Sequence, residues 1–176
     1  MSGRRAALGL VAALLVGCGM GQAFPSTSST NAIGLGVGYQ PPPFSAADLN
    51  GQQHDLAAYK GRVVVLHFWA SWCPYCRSEI PELTELYQQA NKSVQVIAVS
   101  SDEDVAVLKQ FIAEKQLPYP IIADHDMPRS ISEQYGISGI PVTYVIGKDG
   151  RIAERLHGAS EIIEAVTRVL AGPSST

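Results

Sequence analysis

Phe68-Trp69-Ala70-Ser71-Trp72-Cys73-Pro74-Tyr75-Cys76-Arg77 is the stretch that decides how this chain folds. An apolar run, Val63-Val64-Val65-Leu66, leads into two cysteines two residues apart, and a helix-like pattern from Glu79 to Ala90 follows. Strand, Cys-x-x-Cys, helix is a redox arrangement. Two intervening residues let both sulfurs reach disulfide distance across the first turn of a helix. The first cysteine then sits at the helix N-terminus, where unpaired N–H groups and the helix dipole favour the thiolate. Pro74 suits the first helical position, because its missing N–H would have had no partner there. A structural zinc site would need a second pair of ligands. No cysteine follows Cys76, and His125 and His157 stand far apart, so the motif reads as redox rather than zinc.

The chain has 176 residues, 46% of them hydrophobic, which suits one domain plus extra segments. A formal net charge of −3 without a basic cluster in the body excludes nucleic acid as a predicted partner. The N-terminus differs in character. Arg4 and Arg5 precede an apolar run, Ala6 to Val16, that is too short to span a bilayer comfortably. The run ends in Leu15-Val16-Gly17-Cys18, which resembles the bacterial lipobox. That resemblance implies a signal peptide over residues 1–18 and lipidation of Cys18 as the mature first residue; an ordinary signal peptide cut near Ala23 is the alternative. Gly19 stands where an aspartate commonly retains lipoproteins at the inner membrane. The predicted location is therefore the cell envelope, lipid-anchored and facing the periplasm, at the outer membrane if there are two. With Cys18 lipidated, the folded part owns Cys73 and Cys76 alone, so its one available disulfide is the one it trades. No cofactor beyond that disulfide is expected.

Residues 19–43 are rich in Ser, Thr, Gly and Pro and read as a flexible tether. The folded domain is expected over residues 44–171, with a short disordered tail at 172–176. Asn50-Gly51 signals a two-residue hairpin before the main sheet. Strands are predicted at Arg62 to Trp69, Val94 to Ser100, Tyr119 to Ala123, Val142 to Ile146 and Arg151 to Arg155. Helices are predicted from Glu79 to Ala90, kinked at Pro81, from Asp102 to Gln116, from Pro128 to Tyr135 and from Glu161 to Leu170, the last capped by Ser160. Lys148-Asp149-Gly150 turns the closing hairpin. Strands alternating with helices give an α/β sheet.

With these residues in place the chain resembles the thioredoxin fold, and within it the exported thiol–disulfide oxidoreductases of the TlpA/ResA type. Phe68-Trp69-Ala70-x-Trp72-Cys73-x-x-Cys76 matches the active-site strand and loop, and Pro81 the kink proline. Tyr135-Gly136-Ile137-Ser138-Gly139-Ile140-Pro141 matches the segment carrying a cis-proline, and Gly158-Ala159 the approach to the last helix. The resemblance spans about Phe44 to Leu170. It implies a thioredoxin-like α/β fold with an N-terminal β-hairpin and an extra β-α element in the middle. It also implies an exposed nucleophile at Cys73, a more buried resolving thiol at Cys76, and a substrate-pairing edge at Ile140-Pro141, with Trp72, Pro74 and Tyr75 around it.

Two further positions bear on proton traffic. Glu79 lies three residues past Cys76, where this type often carries a glutamate, and helical spacing gives the two a common face. Its alternative is a solvated helix charge beside Glu82 and Glu85. His67 lies six residues before Cys73, where thioredoxin has a buried aspartate. It is expected either to relay protons, since imidazole titrates near neutral pH, or to be a satisfied core histidine.

The resemblance implies a reductant of particular exported disulfides, for example in apocytochrome c maturation. Its partners would be protein disulfides, a membrane thiol electron donor, and the membrane itself through the lipid anchor. The opposite direction, a disulfide-forming oxidase, is the alternative, because the Pro74-Tyr75 dipeptide leaves the potential open. A peroxidase would carry Thr or Ser where Ala70 stands. A copper chaperone using Cys73, Cys76 and a histidine is the non-enzymatic reading, since thiolates suit Cu(I).

Overall fold

Two strands of this chain are apolar along almost their whole length, and such runs are stable only with both faces covered. A computed structural model describes residues 32–125, 127–158 and 161–172. The strands are β1 (Ser45–Ala47), β2 (Gln53–Asp55), β3 (Val63–Trp69), β4 (Val94–Ser100), β5 (Ile121–Ala123), β6 (Val142–Ile146) and β7 (Ile152–His157). The helices are α1 (Pro74–Gln89), α2 (Val105–Lys115), α3 (Ile131–Gln134) and α4 (Ile162–Ala171). β1 and β2 form a separate antiparallel hairpin, and the others make one sheet in the order β5-β4-β3-β6-β7. β3, β4 and β5 run parallel; β6 and β7 close the sheet antiparallel. This is the thioredoxin-like α/β fold, with the predicted N-terminal hairpin, and with β5 and its flanking helices supplying the extra middle element.

The alternation of β3 sorts its neighbours onto two faces. Val63, Val65 and Trp69 pack with buried residues of α1, α2 and α4, among them Leu83, Leu108 and Val166. Val64, Leu66 and Phe68 pack with the hairpin and α3 through Phe44, Leu56, Ile131 and Tyr135. α1 buries Cys76, Glu79, Leu83 and Leu86, a single helical face that persists through Pro81. The helix thus continues past its proline to Gln89, as the spacing predicts.

Several expectations are corrected. Asn50-Gly51 sits in a loop of three residues rather than two. Asp48 and Gln52 still share a backbone hydrogen bond, and Gly51 takes φ 84°. Asp102 lies outside α2, which is capped by Asp104 instead, because the Asp102 carboxylate is drawn inward to serines. The second half of the predicted tether is docked rather than flexible. Gly38 N–H donates to Ile152, the N–H of Ile152 donates to Tyr39, and Tyr135 Oη donates to the carbonyl of Pro42. The folded unit therefore begins before Phe44. The N-terminal turn of α4 is served by Glu82, whose Oε1 accepts the N–H of Ile163 at 2.7 Å. Ser160, the predicted cap, lies outside the described residues, as do Cys18 and the predicted leader. Among the described residues, no helix is long and apolar enough to cross a membrane.

Candidate active site

β3 delivers its C-terminal end, and the Cys73–Cys76 disulfide beyond it, to one rim of the sheet. Cys73 is the N-cap of α1, and Pro74 follows as the first helical residue. The Cys76 N–H points at Cys73 Sγ at 3.3 Å, so a backbone donor already faces the sulfur that would carry charge on reduction. Cys73 is 4% exposed and Cys76 fully buried. The asymmetry is the predicted one, but Cys73 is far less open than expected, because the loop ahead of Pro141 closes over it. Cys73 Sγ lies 4.0 Å from the carbonyl oxygen of Ile140.

That closure follows from register. Phe68 of β3 pairs with Val142 of β6, which brings Ile140-Pro141 alongside the cysteine loop. The Ile140–Pro141 bond is cis. The Pro141 carbonyl accepts the N–H of Gly158, tying the loop to the end of β7. Trp72 and Tyr75 are 65% and 69% exposed, flanking the disulfide with aromatic surface, and Pro74 is exposed between them. Trp69 is core, packed near Phe111.

Beneath the rim lies a polar pair. Glu79 is buried, which sets aside its reading as a solvated helix charge. Its Oε2 is 3.8 Å from His67 Nδ1. His67 Nδ1 also lies 2.9 Å from Thr143 Oγ1 on the neighbouring strand, while its Nε2 is buried with no hydrogen-bond partner among the described residues. Burial pushes the His67 pKa down to about 3. An imidazole so deprived of water resists charging near neutral pH, which weighs against the relay and toward the core-histidine reading.

Two contributors were missed in the sequence. Thr143, directly across from His67 in register, fixes its ring. Asp102 clamps the active-site loop: its Oδ2 accepts the Ser71 N–H at 2.8 Å and the Ser100 hydroxyl at 2.6 Å, and its Oδ1 accepts the Ser71 hydroxyl at 2.5 Å. Ser71 precedes Trp72-Cys73, so this buried carboxylate sets the approach to the nucleophile position. Cross-strand spacing from Pro141 is a signal that points to Thr143; none marks Asp102. Among the described residues, no group of three or more His, Cys, Asp or Glu side chains is placed to hold a metal ion.

The AhpC/TSA family model matches residues 37–155. The thiol-disulfide oxidoreductase ResA of Bacillus thuringiensis subsp. konkukian is 33% identical over 123 residues, covering 69% of this chain and 70% of that protein. ResA of Geobacillus thermodenitrificans is 30% identical over 156 residues, 88% of each chain. The crystal structure of the pneumococcal exposed lipoprotein thioredoxin from Streptococcus pneumoniae superposes with a TM-score of 0.63 at 26% identity, covering 72% of this chain and 98% of that one. A cysteine pair on a helix start beside a cis-proline, with these matches along most of its length, places the chain in the AhpC/TSA family as a thiol–disulfide oxidoreductase of the ResA type.

Proposed function

We propose that this chain reduces particular disulfides of exported proteins, apocytochrome c before haem attachment among them, and is recharged by a membrane thiol donor. The observation that carries the mechanism is the asymmetry of the pair: Cys73 reaches the surface and faces a backbone N–H, whereas Cys76 does not reach the surface. In the reduced enzyme the Cys73 thiolate attacks one sulfur of the substrate disulfide. The substrate S–S bond breaks, its other sulfur leaves as thiolate and takes a proton, and a mixed disulfide forms. Cys76 then loses its proton, attacks Cys73 Sγ and releases the second substrate sulfur as thiolate. The substrate gains two electrons, and the enzyme is left with the Cys73–Cys76 disulfide.

Glu79 shares a buried helix face with Cys76 and is the group we assign to receive its proton. His67, neutral and held by Thr143, positions that carboxyl group. Ile140-Pro141 pairs with the substrate backbone, and Trp72, Pro74 and Tyr75 form the contact rim. The lipid anchor at Cys18, with the stand-off that residues following it provide, would hold the domain at the envelope membrane facing outward, the outer one if there are two. The sequence at Leu15-Val16-Gly17-Cys18 supports this, and so does the lipoprotein named among the structural relatives.

Substrate trapping tests the reading. Cys76→Ser should freeze a mixed disulfide on Cys73 with envelope proteins, and Cys73→Ser should trap nothing. Equal trapping by both would reverse the assignment of nucleophile. A reduction potential of about −120 mV, the range of strong disulfide-forming oxidants, would overturn the reductant direction.

A further inference from the structure

Beside Pro141 the surface dips into a cleft of about 270 Å³. Its walls include Gly139, Ile140 and Pro141 on one side and Arg155 and His157 of β7 on the other. Among the described residues that line it, those two are the ionisable ones, and none is a carboxylate. Arg155 gives the cleft a fixed positive charge on a chain whose formal net charge is −3. Both side chains come from alternate positions of one strand and so share a face, with Arg155 opposite Tyr144 and His157 opposite Val142. The Arg155 guanidinium rests 5.2 Å from the centroid of the Tyr144 ring, which holds it at the cleft rather than free in solvent. Glu154, the residue before Arg155, turns to the other face and pairs with Arg168 at 2.9 Å. The local carboxylate is therefore engaged away from the cleft.

The cleft adjoins the loop that covers the reacting sulfur, because Ile140 contributes both to its wall and to the carbonyl 4.0 Å from Cys73 Sγ. A substrate segment that pairs with Ile140-Pro141 must run past it. His157 lies opposite Val142, the residue after Pro141, and Arg155 opposite Tyr144, so at about 3.3 Å of rise per residue a substrate side chain about two to four residues from the reactive cysteine comes beside them.

We propose that Arg155 and His157 form an anion-selecting subsite, so that this chain prefers disulfides whose flanking polypeptide carries an acidic side chain two to four residues from the reactive cysteine. The proposal rests on the reading of Ile140-Pro141 as the substrate edge. It assigns substrate selection to β7, an element outside the redox motif.

The test uses the reduced protein and three synthetic disulfide-bridged peptides with Glu, Gln or Lys three residues from one cysteine. Hydroxyethyl disulfide, which has no flanking chain, normalises each variant. The Glu peptide should be reduced faster than the Lys peptide by about threefold to fivefold, the size of an exposed charge pair, and the ratio should shrink as salt is added. Arg155→Gln with His157→Gln should bring the ratio near one, and Arg155→Glu should invert it. Equal rates for the three peptides, or a Glu preference that survives the double substitution, would overturn the subsite while leaving thiol exchange intact. Failure to reduce hydroxyethyl disulfide as well would overturn the exchange chemistry, and the subsite with it.

Discussion

Among the described residues, two buried histidine–carboxylate pairs have the same exposure: 1% for each histidine side chain and 3% for each carboxylate. In the hairpin, His54 Nε2 meets Asp48 Oδ2 at 3.1 Å and Nδ1 meets Tyr59 Oη at 2.5 Å. Asp48 Oδ1 accepts the N–H groups of Asn50 and Gln52. With a neutral ring, Nε2–H donates to Asp48 and Nδ1 accepts from Tyr59, and both ring nitrogens are satisfied. Burial raises the Asp48 pKa, but the hydrogen bonds from His54, Gln52 and Asn50 together outweigh it and leave that pKa lowered. Under the active site, His67 has Thr143 at one nitrogen and nothing among the described residues at the other, and Glu79 stands 3.8 Å off. Burial alone therefore does not distinguish the pairs; completeness of hydrogen bonding does. The closed network is a latch for the loop, and the incomplete one lies beside the chemistry, where an unsatisfied buried group is most often retained for function.

The largest expected effect comes from breaking the closed pair. His54→Ala strands the Asp48 carboxylate and the Tyr59 hydroxyl together, and should cost about 3 kcal/mol in urea unfolding. Thiol exchange per folded molecule should persist, since no part of the network touches the cysteines. A loss below about 1 kcal/mol would mean that water replaces His54 easily and the latch is not one. Asp102→Asn is the intermediate case, a satisfied carboxylate placed at the active-site loop. The amide can accept from only one side and turns its own donors toward Ser71 or Ser100, at a cost of about 2 kcal/mol. Because Ser71 leads into Trp72-Cys73, KM for a protein disulfide should rise as well. An unchanged KM with lowered stability would confine Asp102 to a structural part.

The sequence made one of these regions legible and hid the other. Cys73, Pro74, Cys76 and Pro141 were readable because each carries its chemistry in local spacing. β4 was readable to the residue because an unbroken apolar run leaves no choice of face. His67 and Glu79 were each visible, yet their meeting was not, since a strand and a helix joined by a loop bring them together only through packing. The hairpin network had no motif at all: Asp48, His54 and Tyr59 are ordinary surface types until the fold buries the first two and half-buries the third. Asp102 misled for a related reason. An acidic residue before a helix reads as a first-turn charge, and its true partner, Ser71, is 31 residues away. Residues 32–43 looked like spacer by composition, but they donate and accept backbone hydrogen bonds at the start of β7, which composition does not record.

The smallest effect is the most informative about the open pair. In the folded protein His67 titrates from a pKa pushed down to about 3, against 6.5 in the unfolded chain. As pH falls below 6.5 the unfolded chain takes up a proton that the folded protein refuses, so stability declines with falling pH down to about 3 and is fully present above 6.5. Asp48, with its lowered pKa, gives way only in more acid solution, below the ordinary 3.8 of an aspartate, so between pH 6.5 and 3.8 the decline is that of His67 and not of Asp48. His67→Leu should leave stability at pH 8 nearly unchanged and remove a decline on the order of 1 kcal/mol between neutral pH and about pH 5.5. The same variant leaves Glu79 without its imidazole neighbour, so the pH–rate profile of thiol exchange should shift while the reaction survives. A His67→Leu profile that overlays the parent's would show that the incomplete pair is incomplete without purpose, and the contrast with His54 would then be one of packing alone.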